Sequence, residues 1–264
     1  MKIAIIGTGN LGYSIALGIL NQTQFNYEYL CLTKRKIITL QALQKLPAVE
    51  ILSDNKEAVL NADVIIITVQ PNQLQNVLEE IKSVLNPDKH TVISCVTGRK
   101  IAEIEKVLSP DLGIIRSMPN TAIAVGKSMT CLSANKKGAE NLGLAKTIFS
   151  ALGATMCIEE KLMQSATVIC ASGIAFWMRL IRATAQGAVQ LGFEAKQAQE
   201  LAMYTCLGSA SLLVESGNHP EQEIDKVTTP SGCTISGLNE MEQQGLSAAL
   251  IRGLVTSFNK INQI

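Results

Sequence analysis

A glycine-rich turn near the start of the chain constrains the fold more than any other feature. The turn, Gly7-Thr8-Gly9-Asn10-Leu11-Gly12, follows the apolar run Lys2–Ile6 and opens the amphipathic stretch Leu11–Leu20. In such a strand–turn–helix setting, the first glycine permits the turn, the second admits a pyrophosphate and the third allows close packing. The first N–H groups of the helix attract phosphates. All six residues are therefore predicted to bind a dinucleotide; the alternative is a chance glycine-rich turn.

The end of the second predicted strand indicates which dinucleotide is bound. Enzymes that use NAD usually place Asp or Glu there, to hold the ribose 2′-hydroxyl. This chain has Thr33-Lys34-Arg35-Lys36 instead. A hydroxyl beside cations suits a 2′-phosphate. We therefore favour NADPH, with NADH as the alternative cofactor; an exposed basic turn would explain the same residues without any ligand.

Alternating apolar runs and amphipathic stretches predict an α/β fold with a doubly wound, mainly parallel sheet. The predicted strands are Lys2–Ile6, Tyr29–Leu32, Val64–Val69, Thr91–Val96, Gly113–Arg116, Ser128–Leu132 and Thr155–Ile158. The predicted helices between them are Leu11–Leu20, Lys36–Leu46, Gln73–Leu85, Ile101–Leu108 and Lys137–Leu152.

The strand pattern stops near residue 158, and long helical patterns follow. These helices are predicted at Leu162–Leu191, Lys196–Ser216, Ser236–Gln244 and Ser247–Ile261. We predict a dinucleotide-binding domain over residues 1–158 and an all-α domain over residues 159–264. Several of the helices are apolar on more than one face, which predicts burial against a second subunit.

Charge and composition exclude several functions. The formal net charge is +1 and no long run of one sign occurs, so neither nucleic acid nor a membrane is an expected partner. The apolar stretch Ala166–Met178 is shorter than the roughly 20 residues that cross a bilayer. Seven scattered cysteines without a Cys-x-x-Cys pair indicate reduced thiols in a cytoplasmic protein and no metal site. His90 and His219 are predicted to be surface residues, so neither a triad nor a histidine metal site is expected.

A loop rich in hydroxyl groups interrupts the helical domain. Its residues are Thr228-Thr229-Pro230-Ser231-Gly232-Cys233-Thr234, and a helix is predicted to begin near Thr234. The first N–H groups of such a helix suit a carboxylate. Threonine and serine are also ordinary helix caps, and the residues alone favour neither interpretation. A second break, Cys170–Phe176, indicates close helix packing more than a ligand site.

The chain resembles the pyrroline-5-carboxylate reductase family over nearly its full length. The likeness rests on ordered motifs: Gly7–Gly12, Asn55-Lys56-Glu57, Ala62-Asp63-Val64, Thr68-Val69-Gln70-Pro71, Arg116-Ser117-Met118-Pro119-Asn120-Thr121, Ala171-Ser172-Gly173 and Thr228–Thr234. It implies a Rossmann domain that binds NADPH, a helical domain that dimerises, and reduction of 1-pyrroline-5-carboxylate to proline. Family members often assemble further, into rings of dimers.

The resemblance also implies roles for individual residues. Thr33, Lys34, Arg35 and Asn55 would contact the adenosine end of the cofactor. The nicotinamide side would be bordered by Val69, Gln70, Pro71, Met118, Pro119 and Asn120. The substrate would be bound by Thr229, Ser231, Gly232, Cys233 and Thr234, and the Thr234 hydroxyl would contact the ring nitrogen as the catalytic group.

One segment and three single residues depart from the usual family pattern. Ala171–Phe176 replaces Gly-Ser-Gly-Pro-Ala-Tyr, Ser231 replaces the first glycine of Pro-Gly-Gly, Gln70 replaces a lysine, and Gln164 replaces an aspartate. Two alternatives therefore stay open. One is a related reductase of another cyclic imine, and the other is a non-catalytic regulator that binds nucleotide.

Overall fold

The computed structural model describes residues 1–22, 26–36, 40 and 42–261. The chain forms two compact units: Met1–Ala171 together with the end of the chain from Phe258, and Ser172–Ser257. This division lies after the boundary predicted at residue 158, because Met163 and Ala166 still pack against Met118 and Cys131 of the first unit. The domain boundary itself stays a prediction.

The first unit contains an eight-stranded sheet in the order β3-β2-β1-β4-β5-β6-β7-β8. The strands are β1 Lys2–Ile6, β2 Tyr29–Thr33, β3 Val49–Leu52, β4 Val64–Ile67, β5 Thr91–Ser94, β6 Gly113–Met118, β7 Ser128–Ala134 and β8 Gly153–Cys157. Within the described part of the chain, only β6 and β7 pair antiparallel. The predicted mainly parallel sheet is therefore confirmed, and β3 is a strand that the sequence analysis missed.

Strand β4 shows why this sheet is buried on both faces. Val64 and Ile66 belong to one apolar cluster, whereas Ile65 and Ile67 belong to another on the opposite face. Successive side chains of a strand point to opposite faces, so a run of four apolar residues requires cover on both sides. Helices supply that cover on each face.

The helices of the first unit are α1 Asn10–Asn21, α2 Asn55–Leu60, α3 Leu74–Ile81, α4 Ile101–Val107, α5 Leu142–Ser150 and α6 Met163–Ala166. Helices α1 and α5 contribute to the first cluster, and α3 and α4 to the second. Part of the helix predicted over 36–46, residues 37–39 and 41, lies outside the described residues. The prediction is wrong over Leu43–Lys45, which forms a 3-10 turn.

The prediction that His90 lies on the surface is wrong. Its side chain is 3% exposed, and its Nδ1 accepts a hydrogen bond from the Asn86 N–H group at 2.9 Å. Burial, with the positive charge of Lys89, lowers the pKa of His90 below its ordinary value. His90 directly precedes β5 and is buried, although its sequence neighbours Asp88 and Lys89 are polar.

The second unit is helical, as predicted. It contains α7 Gly173–Gln190, α8 Ala195–Ser216, α9 Pro220–Val227, α10 Cys233–Gln243 and most of α11 Leu246–Ile261. A π-helical segment, Thr167–Ser172, precedes α7. Only Gly173, Ala198 and Ala202 are buried among residues 172–257, all of which the structure describes. Trp177, Leu191, Tyr204 and Val214 are large apolar side chains left exposed.

The apolar stretch that we judged too short to cross a bilayer belongs to a longer helix. Among the described residues, the helical run Glu160–Gln190 is long and apolar enough by length and composition to cross a membrane: it has 31 residues, and an 18-residue window within it has a mean hydropathy of 1.3. The stretch Ala166–Met178 is short, but the helical run in which it lies continues past Met178 to Gln190, so the expectation from length was wrong. Length and composition alone do not separate a membrane span from a helix that packs against protein.

Candidate active site

A cleft of about 850 Å³ lies at the carboxyl ends of β1, β2 and β4. Strand β1 is flanked by β2 on one side and by β4 on the other. The chain therefore adds β2 and β3 on one side of β1 and then crosses back to add β4 on its other side. Open parallel sheets bind ligands at such a switch point. The volume lies in the ordinary range of ligand pockets, which is about 300–1,000 Å³.

The glycine turn forms one wall of the cleft with the geometry that its sequence predicts. Gly7 has a φ of +88°, and a Cβ atom there would lie 2.4 Å from Val69 Cγ1. A Cβ atom on Gly12 would lie 2.5 Å from Thr68 Oγ1. At Gly9 the nearest atom would be Gly7 O at 3.9 Å, so the backbone there is open to a ligand.

The first turn of α1 can receive an anion. Gly9 is its N-cap, no side chain of the described residues caps it, and no acidic residue stands in its first turn. The Thr8 hydroxyl lines the cleft and is fully buried without a partner in the described structure. Buried polar groups normally have partners, and a phosphate oxygen would be one for Thr8. These features fit the pyrophosphate of a dinucleotide.

The end of the cleft next to β2 is organised by a chain of hydrogen bonds. The Gly7 N–H group donates to Thr33 Oγ1 at 3.3 Å, and the Thr33 hydroxyl donates to Asn55 Oδ1 at 2.7 Å. Asn55 Nδ2 then donates to Glu80 Oε2 at 3.0 Å. The chain connects the glycine turn to the ends of β2 and α3 through the start of α2.

Basic side chains border the same end of the cleft. Lys34, Arg35 and Lys36 line it directly after β2, and Arg35 and Lys36 are exposed to solvent. Exposed cations beside a hydroxyl can pair with a 2′-phosphate. In the absence of ligand, water hydrates them. This arrangement fits NADPH.

The structure brings most of the predicted cofactor residues to this cleft. Those that line it are Gly7, Thr8, Gly9, Thr33, Lys34, Arg35, Asn55, Val69 and Gln70. Asn10, Leu11, Gly12 and Pro71 do not line it; Gly12 acts instead through the packing of α1 against Thr68. Sequence reasoning missed lining residues on β3's end and α3: Ser53, Gln73, Asn76, Val77 and Glu80. The helical spacing of Gln73, Asn76, Val77 and Glu80 was a usable signal.

Met118, Pro119 and Asn120 lie at and after the carboxyl end of β6 and do not line the cleft. Met118 is buried. Both polar atoms of the Asn120 side chain already make hydrogen bonds within the first unit. Its Nδ2 donates to Cys170 O at 3.0 Å, and its Oδ1 accepts from the Ala122 N–H group at 2.9 Å. Cys170, whose carbonyl oxygen accepts from Asn120, has a thiol with a lowered pKa, because the Cys131 thiol donates a hydrogen bond to it.

The predicted substrate residues form a tight turn and the start of α10. Thr229 O accepts from the Gly232 N–H group at 2.9 Å, with Pro230 and Ser231 between them. Ser231 has a φ of +59°, as the third residue of a type II turn requires, although glycine is favoured there. A Cβ atom on Gly232 would lie 2.4 Å from Thr229 Oγ1.

Helix α10 begins in a form that can bind a carboxylate. Gly232 is its N-cap, and within the described chain no side chain caps the helix. Cys233 and Thr234 supply its first N–H groups, and both residues are exposed. This loop belongs to the second unit, whereas the cleft belongs to the first.

Comparison with known proteins gives the family. Residues 160–264 match the family model described as pyrroline-5-carboxylate reductase dimerisation, and residues 2–98 match the one described as NADP oxidoreductase, coenzyme F420-dependent. The chain is 43% identical to pyrroline-5-carboxylate reductase 1 of Dictyostelium discoideum, over 98% of the chain and 49% of that protein, so it spans about half of that relative's length.

Two further relatives match over nearly their full length. Pyrroline-5-carboxylate reductase 2 of Dictyostelium discoideum is 41% identical over 98% of the chain and 91% of the relative. The crystal structure of Plasmodium falciparum pyrroline carboxylate reductase with NADP bound has a TM-score of 0.88 at 25% identity, covering 100% of this chain and 97% of the other. With its glycine turn, its cleft and its helical second unit, this chain belongs to the pyrroline-5-carboxylate reductase family.

Proposed function

We propose that this chain reduces 1-pyrroline-5-carboxylate to proline with NADPH, by hydride transfer to the C=N bond. The observation that carries the proposal is a dinucleotide cleft with a basic 2′-phosphate end in a member of this family. The relatives' names state the imine substrate, and the Plasmodium relative binds NADP. NADH is the alternative cofactor.

Each part of the proposed site has a limited task. NADPH, when bound, supplies the hydride. The amides of the Gly7–Gly12 turn hold the pyrophosphate, and Lys34 and Arg35 hold the 2′-phosphate. On the nicotinamide side, Val69, Gln70 and Pro71, with Met118, Pro119 and Asn120, border the ring.

The loop of the second unit is proposed to hold the substrate. The backbone at Gly232, Cys233 and Thr234 binds its carboxylate, because the first amides of an uncapped helix attract anions. The Thr234 hydroxyl contacts the ring nitrogen and steadies the developing amine, with Thr229 and Ser231 beside it. A cyclic imine takes its proton from water readily, so the site needs no histidine, and orientation is the main contribution of the protein.

We also propose that the active form is a homodimer. The second unit leaves Trp177, Leu191, Tyr204 and Val214 exposed, and large exposed apolar surfaces mark protein contacts. The dimerisation model covers the same residues. Burial in a dimer accounts for the apolar run Glu160–Gln190 without a membrane, and the protein is proposed to be cytoplasmic. A ring of dimers and the absence of a nucleic-acid partner stay predictions.

One observation favours a second candidate substrate. Ser231 stands at a φ of +59°, where a serine side chain is strained and adds bulk to the proposed carboxylate loop. A pocket reshaped in this way would suit a different ring size. The alternative is a reductase of another cyclic imine carboxylate, such as a six-membered one.

A spectrophotometric assay tests the proposal. We expect NADPH oxidation with 1-pyrroline-5-carboxylate to exceed that with NADH or with a six-membered imine. Thr234→Ala should lower kcat/KM by about tenfold or more, since it removes one polar contact to the reacting ring. Thr228→Ala is the matched control, because the Thr228 hydroxyl only donates to Asp225 O at 3.1 Å. NADPH binding without turnover of any imine would instead indicate the non-catalytic regulator.

A further inference from the structure

Glu80 is a cleft residue that none of the sequence motifs contains. It lies near the end of α3, is half-buried, and lines the cleft beside Asn55. Its Oε2 accepts a hydrogen bond from Asn55 Nδ2 at 3.0 Å. A carboxylate held against an adenosine-binding amide is unexpected, because the 2′-phosphate of NADPH is itself an anion.

The carboxylate determines which way the Asn55 side chain faces. An ionised carboxylate has acceptors only, so the NH₂ group of Asn55 must face Glu80. Asn55 Oδ1 must then face Thr33, whose hydroxyl donates to it at 2.7 Å. Glu80 thereby fixes the donor and the acceptor ends of the amide.

The consequence reaches the glycine turn. With its hydrogen given to Asn55, Thr33 Oγ1 offers a lone pair to the Gly7 N–H group at 3.3 Å. If the amide turned over, two N–H groups would point at Thr33, and its own hydroxyl hydrogen would lose its acceptor. Thr33 is 2% exposed, so water could not readily replace that acceptor.

The same orientation leaves one hydrogen of Asn55 Nδ2 for the cleft. The amide nitrogen carries two hydrogens, and Glu80 takes one of them. We propose that Glu80 is a positioning residue for the cofactor: its carboxylate fixes the Asn55 amide, which then presents an N–H group to the adenosine ribose and holds Thr33 against the first glycine of the turn. The inference rests on the proposed function, since it concerns the NADPH cleft.

Titration of the full-length protein with NADPH, followed by calorimetry, tests this role separately from catalysis. Glu80→Ala should weaken NADPH binding by about tenfold, the loss expected for a hydrogen bond to a charged group. Glu80→Gln should remain within about twofold of wild type, because its amide oxygen can still accept from Asn55. Glu79→Ala is the matched control, since the Glu79 carboxylate lies on the same helix and pairs with Lys82.

A double-mutant cycle separates positioning from a general structural effect. In an Asn55→Ala background, Glu80→Ala should change the affinity for NADPH by less than about twofold, because the amide that Glu80 orients is gone. In the single variant Glu80→Ala, the loss should appear mainly as a higher KM for NADPH and less in kcat, whereas the Glu79→Ala control should leave both at the wild-type values. Equal losses in both backgrounds, or a Glu80→Gln variant as weak as Glu80→Ala, would overturn the inference. A wild-type protein that binds neither NADPH nor NADH would refute the proposed function instead.

Discussion

The Glu160 carboxylate connects three separate segments of the first unit. Its Oε1 accepts from Arg116 Nη1 at 3.0 Å and from the Ile101 N–H group, the first amide of α4, at 2.6 Å. The Arg116 side chain is 4% exposed and that of Glu160 is 31% exposed. Arg116 Nη2 is already buried without a partner among the described residues. Removing Glu160 would take the recorded partner away from Nη1 as well.

The expected cost of Glu160→Ala follows from these contacts. Breaking a buried ion pair by removing one partner costs about 3–5 kcal/mol. The partial exposure of Glu160 admits some water, so we take the lower figure of about 3 kcal/mol. Loss of the acceptor at the start of α4 adds about 1 kcal/mol. The sum of about 4 kcal/mol is a large share of an ordinary unfolding free energy of about 5–15 kcal/mol.

Urea unfolding followed by far-UV circular dichroism, at one protein concentration, measures this cost. In an Arg116→Met background, Glu160→Ala should cost only about 1 kcal/mol, because only the contact with α4 remains to be lost. Glu159→Ala is the matched control, since its pair with Lys161 is on the surface; it should cost less than about 0.5 kcal/mol. A Glu160→Ala cost below about 1 kcal/mol, or an equal cost in both backgrounds, would refute the reasoning.

Two further predictions concern the glycine turn and the buried histidine. Gly12→Ala should abolish NADPH binding by calorimetry, because its Cβ atom would lie 2.5 Å from Thr68 Oγ1 and displace α1; retained affinity would show that the turn can shift. Because burial lowers the pKa of His90 below 6.5, the unfolded chain takes up the proton first as pH falls, so stability should decline below that pH. His90→Gln should flatten this decline in urea midpoints measured from about pH 7.5 to about pH 5.5, and an unchanged decline would contradict the assignment.

The sheet was predictable because its signals are local. Strand β4 is a run of β-branched residues, and the glycine turn after β1 has a fixed mechanical meaning at each glycine. Strand β3 was missed because Val49–Leu52 is short and carries Glu50. A usable signal lay next to it: Asp54 caps α2 by accepting from the N–H groups of Lys56 and Glu57. Aspartate followed three residues later by glutamate is typical of a helix start.

The failures at His90 and Glu80 have another cause, which is that their surroundings depend on the folded structure. His90 has polar sequence neighbours, yet it is 3% exposed. Glu80 lacks any motif, and only the approach of α2 to α3 gives it a role through Asn55. Such contacts join residues about 25 positions apart, so no pattern within one helix or strand could reveal them.

The second unit buries very few of its own residues. It has 86 residues by its bounds Ser172–Ser257, yet only Gly173, Ala198 and Ala202 are buried in it. A domain of roughly 60 residues normally buries about 60% of the surface that its unfolded chain exposes. Helices this apolar and this exposed leave most of their apolar surface without cover from the described part of the chain. The family model described as pyrroline-5-carboxylate reductase dimerisation covers these same helices, and the proposed homodimer would supply the apolar cover that they lack.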